Sequence, residues 1–227
     1  MKEDRATLIL GAGDGTGTAI VRRFAAAGYI AIAVRRDQVR LDALVNDIRS
    51  DGGRVEGYAA DVSKEADVIE LIEWVESEIA PIEMAVYNVS AFKKGTVMEL
   101  SSSDYRDSWE KSALGGFLIG REVAKRMLGR GQGTIIFNGS PASLSGIAEF
   151  AALSGGRHAL RALSQSMARD LGPKGLHIAH LIIDGWIDGP QLRDRFPDRD
   201  DRFGPDELLK PADIAQTCWL LHEQPKG

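Results

Sequence analysis

Short apolar runs alternate with amphipathic segments along most of the chain. Apolar runs of strand length lie at residues 6–10, 29–34, 55–60, 84–87, 134–137 and 178–183. Between them, apolar side chains recur at three- and four-residue spacing, which predicts helices near 16–27, 41–48, 68–79, 103–128 and 149–171. Near-continuous apolar strands joined by helices form a parallel sheet that is covered on both faces. The pattern therefore predicts a doubly wound α/β domain.

A glycine-rich turn joins the first strand to the first helix. Gly11, Gly15 and Gly17 follow the strand and open the helix, with the spacing Gly-x-x-x-Gly-x-Gly, and Asp14 and Thr16 lie between them. Residues without a Cβ let the backbone approach a pyrophosphate, and a helix N-terminus offers unpaired amides with partial positive charge. The turn is therefore a candidate cofactor-binding site.

This glycine spacing and the order of the elements resemble the short-chain dehydrogenase/reductase family, and the resemblance covers essentially the whole chain. Asp61 and Val62, after the third run, are similar to the family's adenine-contacting segment, and Asn88 keeps the second Asn of its Asn-Asn-Ala-Gly motif. The resemblance implies a Rossmann-type fold in one domain over residues 1–227. Six strands are visible in the sequence, and the family's seventh strand is expected to be absent or to lie beyond the chain end.

The end of the second run bears on the choice of nicotinamide cofactor. Arg35 and Arg36 stand where this fold holds the adenosine ribose. An acid at that point pairs with the 2′-hydroxyl of NAD, whereas an Arg accommodates the 2′-phosphate of NADP. The two arginines favour NADP(H) over NAD(H), although the charge of Asp14 opposes a phosphate unless Arg35 pairs with it. A solvated strand end is the alternative interpretation of both arginines.

The resemblance also indicates where catalytic residues would lie. The family pairs a Tyr-x-x-x-Lys motif with an upstream Ser and with an Asn in the middle helix. Alignment on the segment after residue 157 places Leu153 at the Tyr position and Arg157 at the Lys position. Ser140 matches the family Ser, whereas Ala113 replaces the Asn. Ser140 is thus the one member of this set that the chain keeps.

These replacements remove the family's usual proton transfer. Leu153 has no proton to give, and loss of a general acid costs about 10²–10⁴ in rate. Arg157 keeps a positive charge and can bond a nicotinamide ribose, but it does not exchange protons. Tyr87 ends the fourth strand and is the one tyrosine placed to approach the site. His158 is a possible acid, but it diverges from Arg157 by about 100° around the helix and is better explained as a packed or interface residue.

The other residues with metal or thiol chemistry predict no further site. His177 and His180 lie in one strand at odd separation, so their side chains face opposite ways and no metal site is expected. Cys218, the single cysteine, has apolar helical neighbours that indicate a buried structural thiol.

Charge and hydropathy exclude several classes of protein. The 227 residues include 28 Lys and Arg against 33 Asp and Glu, a net charge of −5 that disfavours a sequence-independent nucleic-acid binder. No apolar run approaches the roughly 18 residues of a membrane span, and no signal peptide is visible. A cytoplasmic protein without nucleic-acid or membrane partners is expected.

Residues 188–210 interrupt the alternation of strands and helices. This stretch is dense in Asp and Arg and contains three prolines, so it predicts either a lid over a substrate site or a solvated charged loop. Phe150, Trp186 and Phe203 are candidates to line an apolar pocket, but each could equally belong to the core. No residue pattern specifies the small-molecule substrate.

The family resemblance also implies a homodimer or homotetramer. The contact is expected through the two long helices near 103–128 and 149–171, where small side chains at 151, 152, 155 and 156 permit close packing.

Three functions remain open from the sequence. The first is an NADP(H)-linked oxidoreductase of a carbonyl, alcohol or activated alkene with a non-standard active site. The second is a catalytically inactive scaffold that binds a cofactor or a partner. The third is an isomerase or dehydratase on the same fold that uses a bound cofactor structurally. Retention of the glycine turn, Asp61 and Asn88 supports cofactor binding in each case.

Overall fold

The computed structural model describes residues 4–204 and 206–225. Its centre is a six-stranded parallel sheet with the strand order β3-β2-β1-β4-β5-β6. The strands are β1 (Ala6–Leu10), β2 (Ile30–Arg35), β3 (Val55–Ala59), β4 (Ile82–Tyr87), β5 (Gly133–Gly139) and β6 (Leu176–Ile182). Every strand forecast from the apolar runs is present, so the predicted doubly wound α/β fold is confirmed.

Helices cover both faces of this sheet. They are α1 (Thr16–Ala26), α2 (Gln38–Ser50), α3 (Glu65–Trp74), α4 (Ser102–Trp109), α5 (Gly115–Arg130), α6 (Ala151–Leu171), α7 (Pro190–Arg195), α8 (Arg199–Arg202) and α9 (Pro211–His222). The apolar faces of α1, α2 and α9 form one core with the sheet, and those of α3, α5 and α6 form the other. Burial on both faces explains why the inner strands are mostly apolar, whereas the edge strands β3 and β6 are partly exposed and include polar residues.

The order of the strands reverses beside β1. The chain runs outward from β1 to β2 and β3, and then returns to β4 on the other side of β1. Such a reversal opens a crevice at the carboxyl ends of the two central strands. Residues that follow β1 and β4 therefore meet: the amide of Asn88 donates to the carbonyl oxygen of Leu10 at 2.9 Å.

The long helix predicted over 103–128 differs from the structure in two ways. It begins at Ser102, and the hydroxyl of Ser101 caps it by accepting a hydrogen bond from the amide of Asp104 at 3.1 Å. Its middle, Glu110–Leu114, is a π-helical turn between α4 and α5. The hydroxyl of Tyr87 donates to the carbonyl oxygen of Lys111 in this turn. That tertiary hydrogen bond is invisible in the periodicity of the sequence.

Small residues of α6 serve packing within the chain. A Cβ on Gly155 would overlap the hydroxyl of Tyr105, and a Cβ on Gly156 would lie 2.9 Å from the Cβ of Ser112. The two glycines therefore let α6 approach α4 and the π-helical turn. The sequence alone had suggested these positions for contact between subunits.

The described residues of the 188–210 segment, 188–204 and 206–210, include regular structure. Strand β7 (Trp186–Ile187) pairs in parallel with β8 (Leu208–Leu209), and the two short helices α7 and α8 lie between them. Within residues 4–204 and 206–225, no seventh strand joins the main sheet. In the same ranges, no helix is long and apolar enough to cross a membrane.

Candidate cofactor and active site

The glycine turn after β1 is held tightly against the end of β4. Gly11 has a φ of +84°, and a Cβ there would lie 3.0 Å from the carbonyl carbon of Asn88. A Cβ on Gly17 would overlap the carbonyl oxygen of Gly11. Both positions therefore require glycine, the first for backbone conformation and close approach, the second so that α1 can pack on the turn.

The outer side of the turn is open and rich in unpaired donors. Nothing lies within 4 Å of the point where a Cβ on Gly15 would stand. The main-chain amides of Gly15, Thr16 and Gly17 donate to no other group in the described part of the chain. Because these amides open an eleven-residue helix, their partial positive charge suits an anionic phosphate.

Asp14 is paired with two arginines, one at the end of β2 and one at the start of α2. Its carboxylate accepts from Arg35 Nη1 at 2.7 Å and from Arg40 Nη1 at 3.1 Å. Arg35 is mostly buried, with its side chain 13% exposed, whereas Arg36 is exposed. The pairing expected from the sequence between Asp14 and Arg35 is present, and Arg40 from the first turn of α2 joins it.

Asp61 and Val62 lie at the end of β3, on the side of the crevice where the adenine is expected. Asp61 Oδ1 accepts from the amide of Ser63 at 3.2 Å and from its hydroxyl at 2.7 Å. Burial raises the pKa of Asp61, but the Ser63 hydrogen bonds and the nearby Arg36 and Lys64 charges outweigh burial, so the net pKa lies below its ordinary value. Val62 is buried in the core.

A chain of hydrogen bonds joins the glycine turn to α6. Asn88 Nδ2 donates to the carbonyl oxygen of Gly11 at 3.1 Å, and Asn138 Nδ2 donates to Asn88 Oδ1 at 3.0 Å. At the far end, Arg157 Nη1 donates to the carbonyl oxygen of Asn138. These contacts place the ends of β1, β4 and β5 and the middle of α6 in one rigid arrangement.

Ser140 follows directly at the end of β5. Its hydroxyl oxygen is shielded from solvent and faces the amide of Ser143 in a capping box, while its hydroxyl proton has no acceptor within the described residues. Its amide donates to the hydroxyl of Ser143 at 3.3 Å. The structure thus brings Ser140, Arg157 and Asn88 to one end of the sheet, beside the glycine turn.

Comparison with known proteins identifies the family. A family model for short chain dehydrogenases matches residues 5–199. The chain belongs to the short-chain dehydrogenase family.

Solved and curated relatives agree with this assignment. A short-chain dehydrogenase from Rhodopseudomonas palustris, known as a crystal structure, is 36% identical with a TM-score of 0.83, and the match covers 98% of this chain and 93% of that one. Gluconate 5-dehydrogenase from Gluconobacter oxydans is 28% identical over 223 residues, which is 97% of this chain and 80% of that protein. The 2,3-dihydro-2,3-dihydroxybenzoate dehydrogenase of Bacillus subtilis is 29% identical over 141 residues, 62% of this chain and 54% of that protein.

Two positions where the family resemblance implies proton transfer carry other groups in this chain. Leu153 is apolar, and Arg157 is held by its hydrogen bond to Asn138. Leu153 is 8% exposed and Arg157 is 7% exposed, one helical turn apart on α6. Burial lowers the pKa of Arg157 to about 10, and the nearby Tyr87 hydroxyl raises it only in part. Arg157 therefore stays charged at neutral pH, yet none of the ion pairs among the described residues includes it.

Tyr87 does not supply the missing proton donor. Its side chain is fully buried, and its hydroxyl is engaged with Lys111 beneath the π-helical turn. Burial raises the pKa of Tyr87 far above its ordinary value, more than the Arg157 charge lowers it. His158 is exposed on α6, where its Nδ1 contacts the carbonyl oxygen of Ser154 at 2.8 Å. This contact leaves His158 on the outside of the helix rather than packed within the chain.

The segment from Trp186 onward begins against the glycine turn. A Cβ on Gly189 would lie 3.8 Å from the Cα of Gly15. Trp186, Phe196 and Phe203 form one aromatic cluster, with ring centroids 5.4 to 6.4 Å apart. Phe150 instead stacks on Phe92 at 5.1 Å, so the three aromatic pocket candidates fall into two separate groups.

The structure adds three residues that sequence reasoning missed or discounted at this site. Arg40 reaches Asp14 from α2, Asn138 connects Asn88 with Arg157, and His180 on β6 lies beside Gly139. Asn138 stands at the end of a predicted strand, so sequence analysis could have identified it. The roles of Arg40 and His180 depend on packing between distant segments.

The structure contains no competing metal or thiol site within its described residues. No group of three His, Cys, Asp or Glu side chains is placed to hold a metal ion there. His177 lines a cavity of about 690 Å³ at the amino ends of the strands, whereas His180 lies under α6. Cys218 is fully buried, and burial raises the pKa of its thiol to about 12. The predicted structural thiol is confirmed.

Proposed function

We propose that this short-chain dehydrogenase binds NADP(H) over the carboxyl ends of the central strands. It transfers hydride to or from a small carbonyl, alcohol or activated alkene. The observation that supports this most strongly is the open glycine turn, where unpaired amides at the N-terminus of α1 adjoin the Arg35 and Arg40 side chains. In this fold a dinucleotide places its pyrophosphate at the glycine turn and its adenosine ribose at the end of the second strand.

The preference for NADP(H) rests on the two arginines beside Asp14. A 2′-phosphate carries enough charge to compete with one carboxylate for two guanidiniums, and bidentate Arg–phosphate contacts are strong. NAD(H) would meet two acids there for its 2′-hydroxyl, and both are already engaged: Asp14 with Arg35 and Arg40, and Asp37 with the side chain and amide of Arg40.

The chemistry at the substrate follows from the side chains near Ser140. When bound, the nicotinamide ring supplies or accepts the hydride. The unpartnered hydroxyl of Ser140 donates a hydrogen bond to the reacting oxygen, and the fixed charge of Arg157 stabilises negative charge that develops there. Leu153 shields the reacting centre from water on one side but moves no proton. The Ser140 hydroxyl passes the proton between the reacting oxygen and water that enters with the substrate.

A catalytically inactive scaffold is the second candidate. It is favoured by Leu153 at the position of the family's Tyr and by the hydrogen bond that ties Arg157 to Asn138. Such a protein would bind the cofactor and leave it unchanged.

We also infer that two copies associate through the long helices. Trp109 and Phe117 are 41% and 42% exposed on α4 and α5, the helices through which the family resemblance implies the contact. Light scattering on the purified chain is expected to give a dimer or tetramer. A Phe117→Glu variant is expected to lower that mass, whereas Leu220→Glu, on exposed α9, is expected to leave it unchanged.

The substrate class of this chain is not fixed by its relatives. Gluconate and dihydroxybenzoate, the compounds in the names of the two curated relatives, are both carboxylates. They make an organic acid a reasonable first class to test.

A titration with NADPH and NADH decides whether the cofactor binds. We expect nicotinamide fluorescence to report micromolar NADPH binding and weaker NADH binding. Binding of neither would overturn the oxidoreductase proposal. Binding without turnover of any carbonyl, alcohol or enone would favour the scaffold.

A further inference from the structure

Three polar side chains from different elements converge on the end of β5. Arg157 from α6 donates to the carbonyl oxygen of Asn138. A Cβ on Gly139 would overlap Nε2 of His180 on β6 and would lie 2.7 Å from the hydroxyl oxygen of Ser143. Ser140 is the next residue along the chain. Three consecutive positions, Asn138 to Ser140, thus gather Arg157, His180 and Ser140 into one donor cluster.

Each member of the donor cluster has a buried polar atom without a partner. These atoms are the Ser140 hydroxyl, Arg157 Nε and both ring nitrogens of His180. A buried polar group without a hydrogen bond costs roughly 1–3 kcal/mol, and an unpaired charge costs more. These four atoms, together with Asn138 Oδ1 at the same strand end, indicate that their missing partners come from outside the described chain.

The charge of the donor cluster is unbalanced. Arg157 is nine-tenths buried, and among the described residues no carboxylate pairs with it. Arg161 of α6 adds a second positive charge, and together with burial these charges lower the pKa of His180 to about 4. A neutral imidazole still donates one hydrogen bond. Apart from Asn138 Oδ1, the unpartnered atoms at this strand end belong to donors or to a positively charged group, which match an anion.

We propose that Arg157 and His180 bind the carboxylate of an organic-acid substrate while Ser140 holds its reacting oxygen. Because the three groups meet at consecutive backbone positions, the carboxylate and the reacting carbon are adjacent, as in a 2-hydroxy acid or 2-oxo acid. A planar guanidinium suits a carboxylate better than an ammonium does, since two parallel hydrogen bonds can form. This gives the replacement of the family's Lys by Arg a role in binding. The inference rests on the proposed function, which puts hydride transfer at the same strand end.

A substrate reaches the donor cluster only if the residues that cover it move, because the donor atoms are shielded from solvent in the ligand-free chain. The loop after Ser140 carries exposed Leu144 and Ile147, and the segment after Ile182 starts against the glycine turn.

Calorimetry on the NADP⁺-loaded chain tests the carboxylate site directly. The probes are lactate and tartrate, with propane-1,2-diol and threitol as neutral counterparts of the same carbon skeletons. We expect at least one acid to bind ten times or more tightly than its neutral counterpart. Arg157→Met is expected to weaken that acid at least tenfold. Arg169→Met, on the exposed face of the same helix, is expected to leave it unchanged.

Several results would overturn the proposal. Equal binding of acid and neutral probe, no binding of either acid, or acid binding that survives Arg157→Met would each do so. If a thermal melt shows that Arg157→Met does not fold, Arg157→Lys is tested instead. This variant keeps the positive charge, and its affinity for the acid is expected to be measurable but weaker than that of the wild-type chain. The comparison of acid with neutral probe on the wild-type chain stands without any variant.

A separate NADPH titration distinguishes failure of this proposal from failure of the proposed function. If NADPH binds and the acids do not, the carboxylate site is wrong and cofactor binding stands. If NADPH does not bind, the acids are titrated into the cofactor-free chain. Acid binding that depends on Arg157 would then uphold the anion site, and its absence would overturn it.

Discussion

Arg157 donates a hydrogen bond from its guanidinium to the main-chain oxygen of Asn138. The side chain of Asn138 continues the connection to Asn88, and Asn88 reaches the glycine turn. A residue on α6 is thereby linked to the cofactor side of the crevice through two strand ends. Changes at Arg157 are expected to affect both the substrate side and the rigidity of the turn.

The two glycines of the turn should respond differently to alanine. Gly15→Ala is expected to weaken NADPH binding by filling the phosphate cradle, and to lower the melting temperature less than Gly17→Ala does, because its Cβ meets no atom within 4 Å among the described residues and only the backbone angles, φ −121° and ψ −110°, oppose alanine. Gly17→Ala is expected to lower stability by about 1–3 kcal/mol, because its Cβ would overlap the turn. Thermal melts and NADPH titrations of both variants check this, with Gly129→Ala as a control. Unchanged NADPH affinity in Gly15→Ala would contradict a phosphate site at the turn.

Asp14→Asn should favour NADPH. The substitution frees Arg35 and Arg40 from a carboxylate that competes with the 2′-phosphate, so NADPH affinity is expected to rise about three- to fivefold, the worth of one partly exposed ion pair. NADH affinity is expected to stay the same. Fluorescence titrations of both cofactors measure the ratio, and Asp42→Asn on the exposed face of α2 is the control. An equal change for both cofactors would mean that the arginines do not contact the 2′-phosphate.

Restoring the family's motif separates an enzyme from a scaffold. The double variant Leu153→Tyr with Arg157→Lys is expected to gain about 10²–10⁴ in NADPH-dependent carbonyl reduction, because it regains a general acid. The matched control is Leu153→Phe with Arg157→Lys, which lacks only the hydroxyl. Steady-state assays with a carbonyl panel provide the rates. Activity in the double variant alone would support the scaffold, whereas turnover by the parent chain would support the oxidoreductase.

Acid should destabilise the chain partly through His180. Burial and the charges of Arg157 and Arg161 hold its folded-state pKa at about 4, below the unfolded value near 6.5. Between these two values the unfolded chain binds a proton that the folded chain does not. Stability is therefore complete above about pH 6.5 and falls as the pH drops toward 4, by no more than about 3 kcal/mol. Burial also lowers the pKa of His222, which adds to the same slope.

Urea unfolding between pH 4.5 and 7.5 measures this dependence. His180→Asn is expected to flatten the slope in that range and to leave the part due to His222. His158→Asn, at an exposed position, is expected to reproduce the wild-type slope. An unchanged slope in His180→Asn would show that this imidazole is not held neutral by its surroundings.

Much of the architecture was determined by local pattern. The apolar runs marked β1 to β6 because strands buried on both faces must be apolar throughout, and the first run, Ala6–Leu10, matches its strand in full. The glycine turn was recognisable because its backbone demands, at Gly11 and Gly17, exclude other residues. The prediction that Leu153 and Arg157 stand at the family's Tyr and Lys positions also comes from the resemblance alone.

Only the tertiary structure decided which polar groups share a space. The donor cluster draws on residues far apart in the chain, and Arg40 meets Asp14 only because α2 starts beside the glycine turn. The π-helical turn at Glu110–Leu114 likewise depends on a hydroxyl from β4. Periodicity reports which face of an element is buried, since burial follows from hydrophobicity along one segment. It does not report which side chains from other segments lie opposite that face, because that depends on how the elements pack in three dimensions.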